Sequence, residues 1–248
     1  MVDAWLAEAM SAYNAESLAN RDGYRGLVHI PGDVLETILL WSLESLPDEI
    51  LVGLDADTNR AHRDEVDELF RGVDHEDGLF AGEGQVLGDV TIVNRGDSWS
   101  VHHVPEEWTD GIFAESRGPR GGRFIHWLHT HPNAVAIPSE QDADAAQHTL
   151  GVDMILGIEF SPEGPLPWFE DTEGVRRRLQ PDEVAPVREK RGWGGWRRKR
   201  QRPILGVAPT GHRIHGLELI SFHRSGCGIN VILVDEDGFP YGWDELSI

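Results

Sequence analysis

Apolar residues recur along this chain in two ways, at helical spacing and in short runs, and the pattern changes at Pro and Gly. In residues 3–18, Trp5, Ala9, Met10, Tyr13 and Leu18 share a broad face, which predicts a helix. Residues 28–30 form a short apolar run ending at Pro31 and Gly32. Asp33 is then expected to cap a second helix, with Glu36 three residues later as a capping box. Leu35, Ile38, Leu39, Ser42, Leu43 and Leu46 give that helix its inner stripe, and Pro47 ends it. Residues 50–54 predict a strand. Residues 55–87 are acidic and poorly patterned, with a helix suggested at 63–71. Residues 89–94 and 99–104 flank Arg95, Gly96 and Asp97 and predict a hairpin. Residues 105–122 are loop-like. A strand at 124–130, a helix at 139–150 and a buried strand at 152–160 follow, then a hairpin over 168–179. Two further strands, 217–222 and 229–234, flank Ser225 and Gly226. There is no internal repeat.

Composition bounds the picture. With 248 residues, 40% hydrophobic, the chain can bury one large core, or an ordinary core with additions. No apolar run approaches the roughly 18 residues of a membrane span. Residues 1–16 contain no Lys or Arg, which argues against a signal peptide and makes the cytoplasm the expected compartment. The single cysteine, Cys227, excludes an intramolecular disulfide and a Cys-rich zinc site. It sits in a predicted turn with no paired base, so a structural role is expected.

Charge adds more. Asp and Glu number 43 against 22 Lys and Arg, a net of −21, and only Lys190 and Lys199 are lysines. A dense carboxylate surface nearly free of lysine reads as adaptation to high salt, the alternative being an ordinary acidic protein. Residues 1–185 hold 36 acids and 12 bases, whereas residues 186–202 hold 8 bases and the single acid Glu189. That shift suggests a boundary near 185.

The stretch richest in chemistry runs from His129 to Asp142. In a strand, His129 and His131 present two imidazoles on one face. Pro132 stops the strand, Ser139 falls at a helix N-cap, and Asp142 lies in that helix's first turn. Two histidines and a carboxylate, with water in a fourth place, make a catalytic zinc set. Alone, His-x-His is more often a solvated or core pair, and Ser139-x-x-Asp142 resembles a capping box. The full pattern, His-x-His-Pro-(x)6-Ser-x-x-Asp, arises by chance about once in ten thousand chains of this composition. A second metal site from His102 and His103, or His212 and His215, has only spacing behind it.

That pattern resembles the JAMM motif of the MPN metalloproteases at every fixed position. The family includes deubiquitinases, archaeal enzymes that remove ubiquitin-like modifiers, and bacterial enzymes that trim sulfur-carrier proteins. The approach from Trp127 through Pro132 is similar too, although His126 stands where glycine is common. The resemblance covers roughly residues 27–180. It implies an α/β (α+β) fold of the MPN/JAMM type, a mixed β-sheet sandwiched by helices, here with an extra C-terminal β-rich extension. It implies one Zn2+ per chain on His129, His131 and Asp142, which would lower the pKa of a water toward neutrality. It calls for an upstream glutamate as general base, a place that Glu49 fits, with Asp48 and then Glu44 as competitors. Ser139 would donate a hydrogen bond to the developing oxyanion. Asp144 is expected at the surface.

The resulting organisation is an N-terminal helical extension over 1–26, a metalloprotease domain over 27–185, a basic Trp/Gly linker over 186–202 and a small β-rich extension over 203–248. The expected activity is hydrolysis of the bond between a ubiquitin-like modifier and a lysine, with sulfur-carrier trimming and a non-catalytic scaffold as alternatives. The expected partners are ubiquitin-like protein conjugates, rather than nucleic acid or membrane. The linker is read either as flexible chain or as a dock for an acidic protein, anchored by Trp193 and Trp196.

Overall fold

The computed structural model describes residues 2–46, 48–76, 85–95, 124–163, 168–170, 176–178, 202–208 and 210–246. In chain order the elements are α1 (Ala4–Ala19), β1 (Gly26–Pro31), α2 (Gly32–Ser45), β2 (Ile50–Ala56), α3 (Asp64–Phe70), β3 (Gln85–Arg95), β4 (His126–Pro132), α4 (Glu140–Ala146) and β5 (Val152–Ser161). There follow β6 (Trp168–Glu170), β7 (Arg176–Arg178), β8 (Gly206–Val207), β9 (Arg213–His223), β10 (Ile229–Val234) and α5 (Trp243–Leu246). Eight strands make one mixed sheet in the order β10-β1-β3-β2-β4-β5-β9-β8, and β6 pairs with β7 separately. The architecture is mixed α/β.

Strand alternation sorts the side chains onto two faces. Val28 and Ile30 of β1, Val52 and Leu54 of β2, Leu128 of β4, and Met154 and Leu156 of β5 share one buried cluster with Leu6 and Met10 of α1 and Ile38 and Leu43 of α2. On the opposite face, Leu27, Ile232 and Val234 meet Val66 and Phe70 of α3, and Leu51 packs with Phe124 and Trp127. Helices therefore cover both faces. Truncating Ile38, which is fully buried, to Ala costs about 2–5 kcal/mol.

Among the named strands of the described residues the end strand β10 pairs with β1 alone, and beyond a bridge from Val234 to Pro240 and a bond from the Tyr241 amide to the Leu233 carbonyl its other backbone groups need partners. Asn14 of α1 supplies some of them. Its Nδ2 donates to the carbonyls of Leu233 and Tyr241 at 2.8 and 3.0 Å, and its Oδ1 accepts from the Leu233 amide at 2.9 Å. One turn later, Ser17 donates to Asn230 Oδ1 and to the Val231 carbonyl. Buried backbone groups need partners, and here an amide and a hydroxyl from a helix supply them.

Several expectations shift. Asp33 is not an N-cap: β1 runs straight into α2, Pro31 takes the cap position, and it has no side chain to offer. The Asp33 carboxylate instead takes a two-pronged bond from Arg60 at 2.8 and 2.9 Å, and Glu36 accepts from the Asp3 amide. The helix expected over 139–150 ends at Ala146, because Gly151 must already feed β5. The boundary near 185 does not separate two cores. β9, from beyond it, lies antiparallel to β5 along ten residue pairs, and β10 lies parallel to β1 along six. The residues called extensions thus supply α1 and three strands of the one sheet. The second strand of the hairpin expected at 99–104, the 105–122 loop and most of the 186–202 segment, with Lys190, Trp193, Trp196 and Lys199, lie outside the described residues. Arg202 is described and pairs with Glu159.

Candidate metal centre

β4 places the site. It lies inside the sheet, antiparallel to β2 and parallel to β5, so its backbone is held on both sides. Trp127, His129 and His131 alternate onto the face away from α1 and α2. His129 is buried and His131 half-buried. Beyond Pro132 the chain turns back through Asn133 at φ 54°, a left-handed conformation that Asn tolerates. The Asn133 side chain accepts from the Phe160 amide at 2.9 Å, and its own amide donates to Ile158 at 2.8 Å. Gly157 lets this loop lie against β5: a Cβ there would sit 2.9 Å from the Ala134 carbonyl oxygen. Glu218 of β9 accepts from the Ala136 amide at 2.9 Å. The loop so anchored lets His131 Nδ1 donate to the Val135 carbonyl at 2.8 Å, which leaves Nε2 as a lone pair.

Ser139 caps α4 as the sequence suggests. Its Oγ accepts from the Asp142 amide at 3.2 Å, and its amide donates to Asp142 Oδ2 at 2.7 Å. This capping box shares Asp142 with the candidate ligand set, so the two readings do not compete. The Ser139 side chain is exposed, and its hydroxyl hydrogen is not the one used in the cap.

The three candidate ligands converge. His129 Nε2 is 3.1 Å from His131 Nε2 and 3.1 Å from Asp142 Oδ1, and His131 Nε2 is 3.8 Å from Asp142 Oδ2. Donors about 2.1 Å from a tetrahedral zinc stand about 3.4 Å from one another. The observed separations straddle that value, and two imidazole nitrogens with a carboxylate are a borderline donor set that zinc takes readily, so the residues fit the metal. Burial works to raise the Asp142 pKa, but hydrogen bonding and charge from His129 and the bonds to Ser139 outweigh it and hold the carboxyl well below its usual range.

Leu51 pairs with His129 in the β2–β4 register, and Glu49 stands two residues before Leu51, at the entry to β2. The Ile50 amide donates to Thr130 Oγ1 at 3.1 Å, tying the residue after Glu49 to the strand of the ligands. Glu49 is half-buried and immediately precedes β2. Asp48 lies in the turn out of α2, its amide bonded to the Ser45 carbonyl, and Glu44 is exposed on α2. Of the three carboxylates, Glu49 is nearest in sequence to the strand that pairs with the ligands. Asp144 is exposed, as expected.

His126 has a structural reason for standing where glycine is common. It is fully buried, its Nδ1 accepts from the Val152 amide at 3.3 Å, and burial pushes its pKa down to about 4. Gly151 makes room for it, since a Cβ there would lie 2.6 Å from His126 Nδ1. His212 and His215 do not join in a metal set. His212 bonds Thr210 and packs edge-on to Phe160, whereas His215 bonds Ser161 and the Pro203 carbonyl. His102 and His103 lie outside the described residues.

Among the described residues two groups have ligand atoms close enough to hold a metal ion: His129, His131 and Asp142, and also His29, His62 and Asp67. The second group has no sequence signature, because 33 residues separate its histidines and only the fold joins them. The anchors Asn133, Gly157 and Glu218 were equally invisible. Asn-Ala after His-Pro was the one hint, a residue tolerant of positive φ where the strand must turn back. A scan against protein-family models finds no match for this chain, and a search of curated proteins finds none either.

Proposed function

We propose that this protein is a zinc-dependent isopeptidase of the JAMM/MPN type, cleaving the bond between a ubiquitin-like modifier and a lysine of its target. The observation that carries the reading is the convergence of His129 Nε2, His131 Nε2 and Asp142 within 3.1–3.8 Å, with Glu49 at the entry to the strand that pairs with theirs.

His129, His131 and Asp142 would hold the metal, which supplies a Lewis acid and a water acidified toward neutrality. The Val135 carbonyl keeps the hydrogen on His131 Nδ1, so Nε2 remains a donor of electrons. The capping box holds Asp142 in one orientation. Glu49, tied to β4 through Ile50 and Thr130, takes a proton from the attacking water and returns it to the leaving lysine amine. The Ser139 hydroxyl donates its hydrogen to the oxygen of the scissile carbonyl as negative charge grows there. Beside the site, Val135 and Ile137 are 61% and 64% exposed, an apolar ledge suited to an extended polypeptide and poorly suited to a small polar substrate.

Retention of all three ligands in converging geometry speaks against a non-catalytic scaffold, which has no need of them. The test is to incubate the full chain with a ubiquitin-like protein joined through an isopeptide bond and with a linear fusion, with and without chelator. Chelator-sensitive release of the isopeptide-linked modifier is expected. Cleavage of the linear fusion alone would redirect the reading to carrier-protein trimming. No cleavage of either, with zinc bound, would overturn it.

A further inference from the structure

We propose that His29, His62 and Asp67 form a second divalent-cation site, suited to zinc, that pins α3 to β1. This inference does not rest on the isopeptidase reading. His29 lies on β1, facing α3; His62 lies just before α3; and Asp67 is on it. His29 Nε2 is 2.7 Å from Asp67 Oδ1, and His62 Nε2 is 3.0 Å from Asp67 Oδ2. The donor set, two Nε2 atoms and one carboxylate, is that of the first centre. So is the spacing of the rings, with centroids 5.2 Å apart here and 5.0 Å apart there. The two centres are distinct, since β3 and β2 lie between β1 and β4, a span of about 14 Å at the usual strand spacing.

Three features point to a cation. The Asp67 carboxylate is 9% exposed, and among the described residues no guanidinium pairs with it: Arg60 is bound to Asp33 and Asp57, while Arg63 donates to the Asp237 carbonyl and stacks over Phe239. A buried carboxylate needs positive charge or strong donors beside it. The fully buried His29 has no hydrogen-bond partner at Nδ1, so its tautomer is set from the Asp67 side alone, by a proton on Nε2 or by a cation bound there. On the far side of His62, Asp64 lies 3.6 Å from Nδ1, in the place of the outer carboxylate that commonly orients a ligating imidazole. Tetrahedral coordination asks the pairs at 2.7 and 3.0 Å to open toward about 3.4 Å. His62, one-third exposed, is free to give that and to admit the ion.

The role is mechanical. α3 has seven residues, too few to be stable alone, and its apolar hold is the small cluster of Val66 and Phe70 on Leu27, Ile232 and Val234. A metal shared by β1, the approach to α3 and α3 itself would fasten all three.

The experiment strips the full chain of metal, titrates zinc alone, removes excess by gel filtration and counts zinc by elemental analysis. Thermal melts are run in parallel. Two zinc per chain are expected in the wild type, falling to one in His62→Ala, in Asp67→Asn and in His129→Ala. Zinc should still raise the melting temperature of His129→Ala and should fail to do so once His62→Ala is added. His62→Ala is the decisive variant, because its side chain reaches solvent and its response to zinc can be read against its own metal-free melt. One zinc in the wild type that is kept in His62→Ala and lost in His129→Ala, or two retained in His62→Ala, would overturn the second site and leave the isopeptidase reading standing.

Discussion

His126 offers the clearest link between one buried side chain and a measurable pH dependence. Its pKa falls from 6.5 to about 4 because burial penalises the imidazolium, while the Val152 amide donates to a nitrogen that must stay unprotonated. The sign follows from linkage. Below pH 6.5 the unfolded chain takes a proton on His126 that the folded chain refuses, so stability falls as pH drops from 6.5 toward 4 and is insensitive to this residue below that. The full difference is about 3 kcal/mol at 1.4 kcal/mol per unit, of which about 2 kcal/mol is lost between pH 7.5 and 5.0. His126→Gln keeps an acceptor for the Val152 amide and cannot titrate. Guanidinium unfolding of both proteins with chelator present, at pH 7.5, 6.5, 5.5 and 5.0, isolates the effect. The other histidines contribute equally to both, and chelation removes metal linkage. The variant should start less stable and lose about 2 kcal/mol less over the range. Parallel curves would refute the assignment of His126 as a neutral core residue.

Three more outcomes are expected. Glu49→Gln should retain the zinc equivalent of the first centre by elemental analysis and lose about 10²–10⁴-fold in conjugate turnover, because an amide cannot accept the proton; normal turnover there with a dead Asp48→Asn would move the base by one residue. Gly53→Ala puts a Cβ 2.2 Å from the Phe124 ring and should cost about 1–3 kcal/mol by chemical unfolding. With a net charge of −21, the protein should melt higher in molar than in dilute potassium chloride, and a flat or falling melting temperature would contradict adaptation to salt.

What could be read from the sequence was whatever repeats locally. The helix α1, the strand over 152–160 and the His-x-His strand all follow from local patterns, although the buried stripe of α1 is Leu6, Met10, Asn14 and Ser17 and shares only Met10 with the face expected from Trp5, Ala9, Met10, Tyr13 and Leu18. The Ser139–Asp142 cap is local too, since it joins residues three apart. The misreadings came from junctions and long range. Asp33 looks like a cap when no view exists of β1 entering α2 directly, and of Arg60 waiting 27 residues away. The charge shift near 185 carries no information on strand pairing, whereas β9 and β10, from beyond it, pair with β5 and β1 in the one sheet. The His29, His62 and Asp67 group shows the limit most plainly: one histidine sits inside an apolar strand and the other in a poorly patterned acidic stretch, and neither position carries a sign of the other.

The bond from Asn14 to Leu233 joins residues 219 apart and makes the seating of α1 a long-range event. α1 meets β10 through Asn14 and Ser17, and β10 in turn lies on β1 along six residue pairs, so segments far apart in sequence must close on one another. Contacts of such separation cost loop-closure entropy before burial offsets it, which slows the step that forms them. A chain truncated before residue 229 would lose β10 and with it the Asn14 and Ser17 bonds that hold α1 at the edge of the sheet, leaving α1 its packing through Leu6 and Met10.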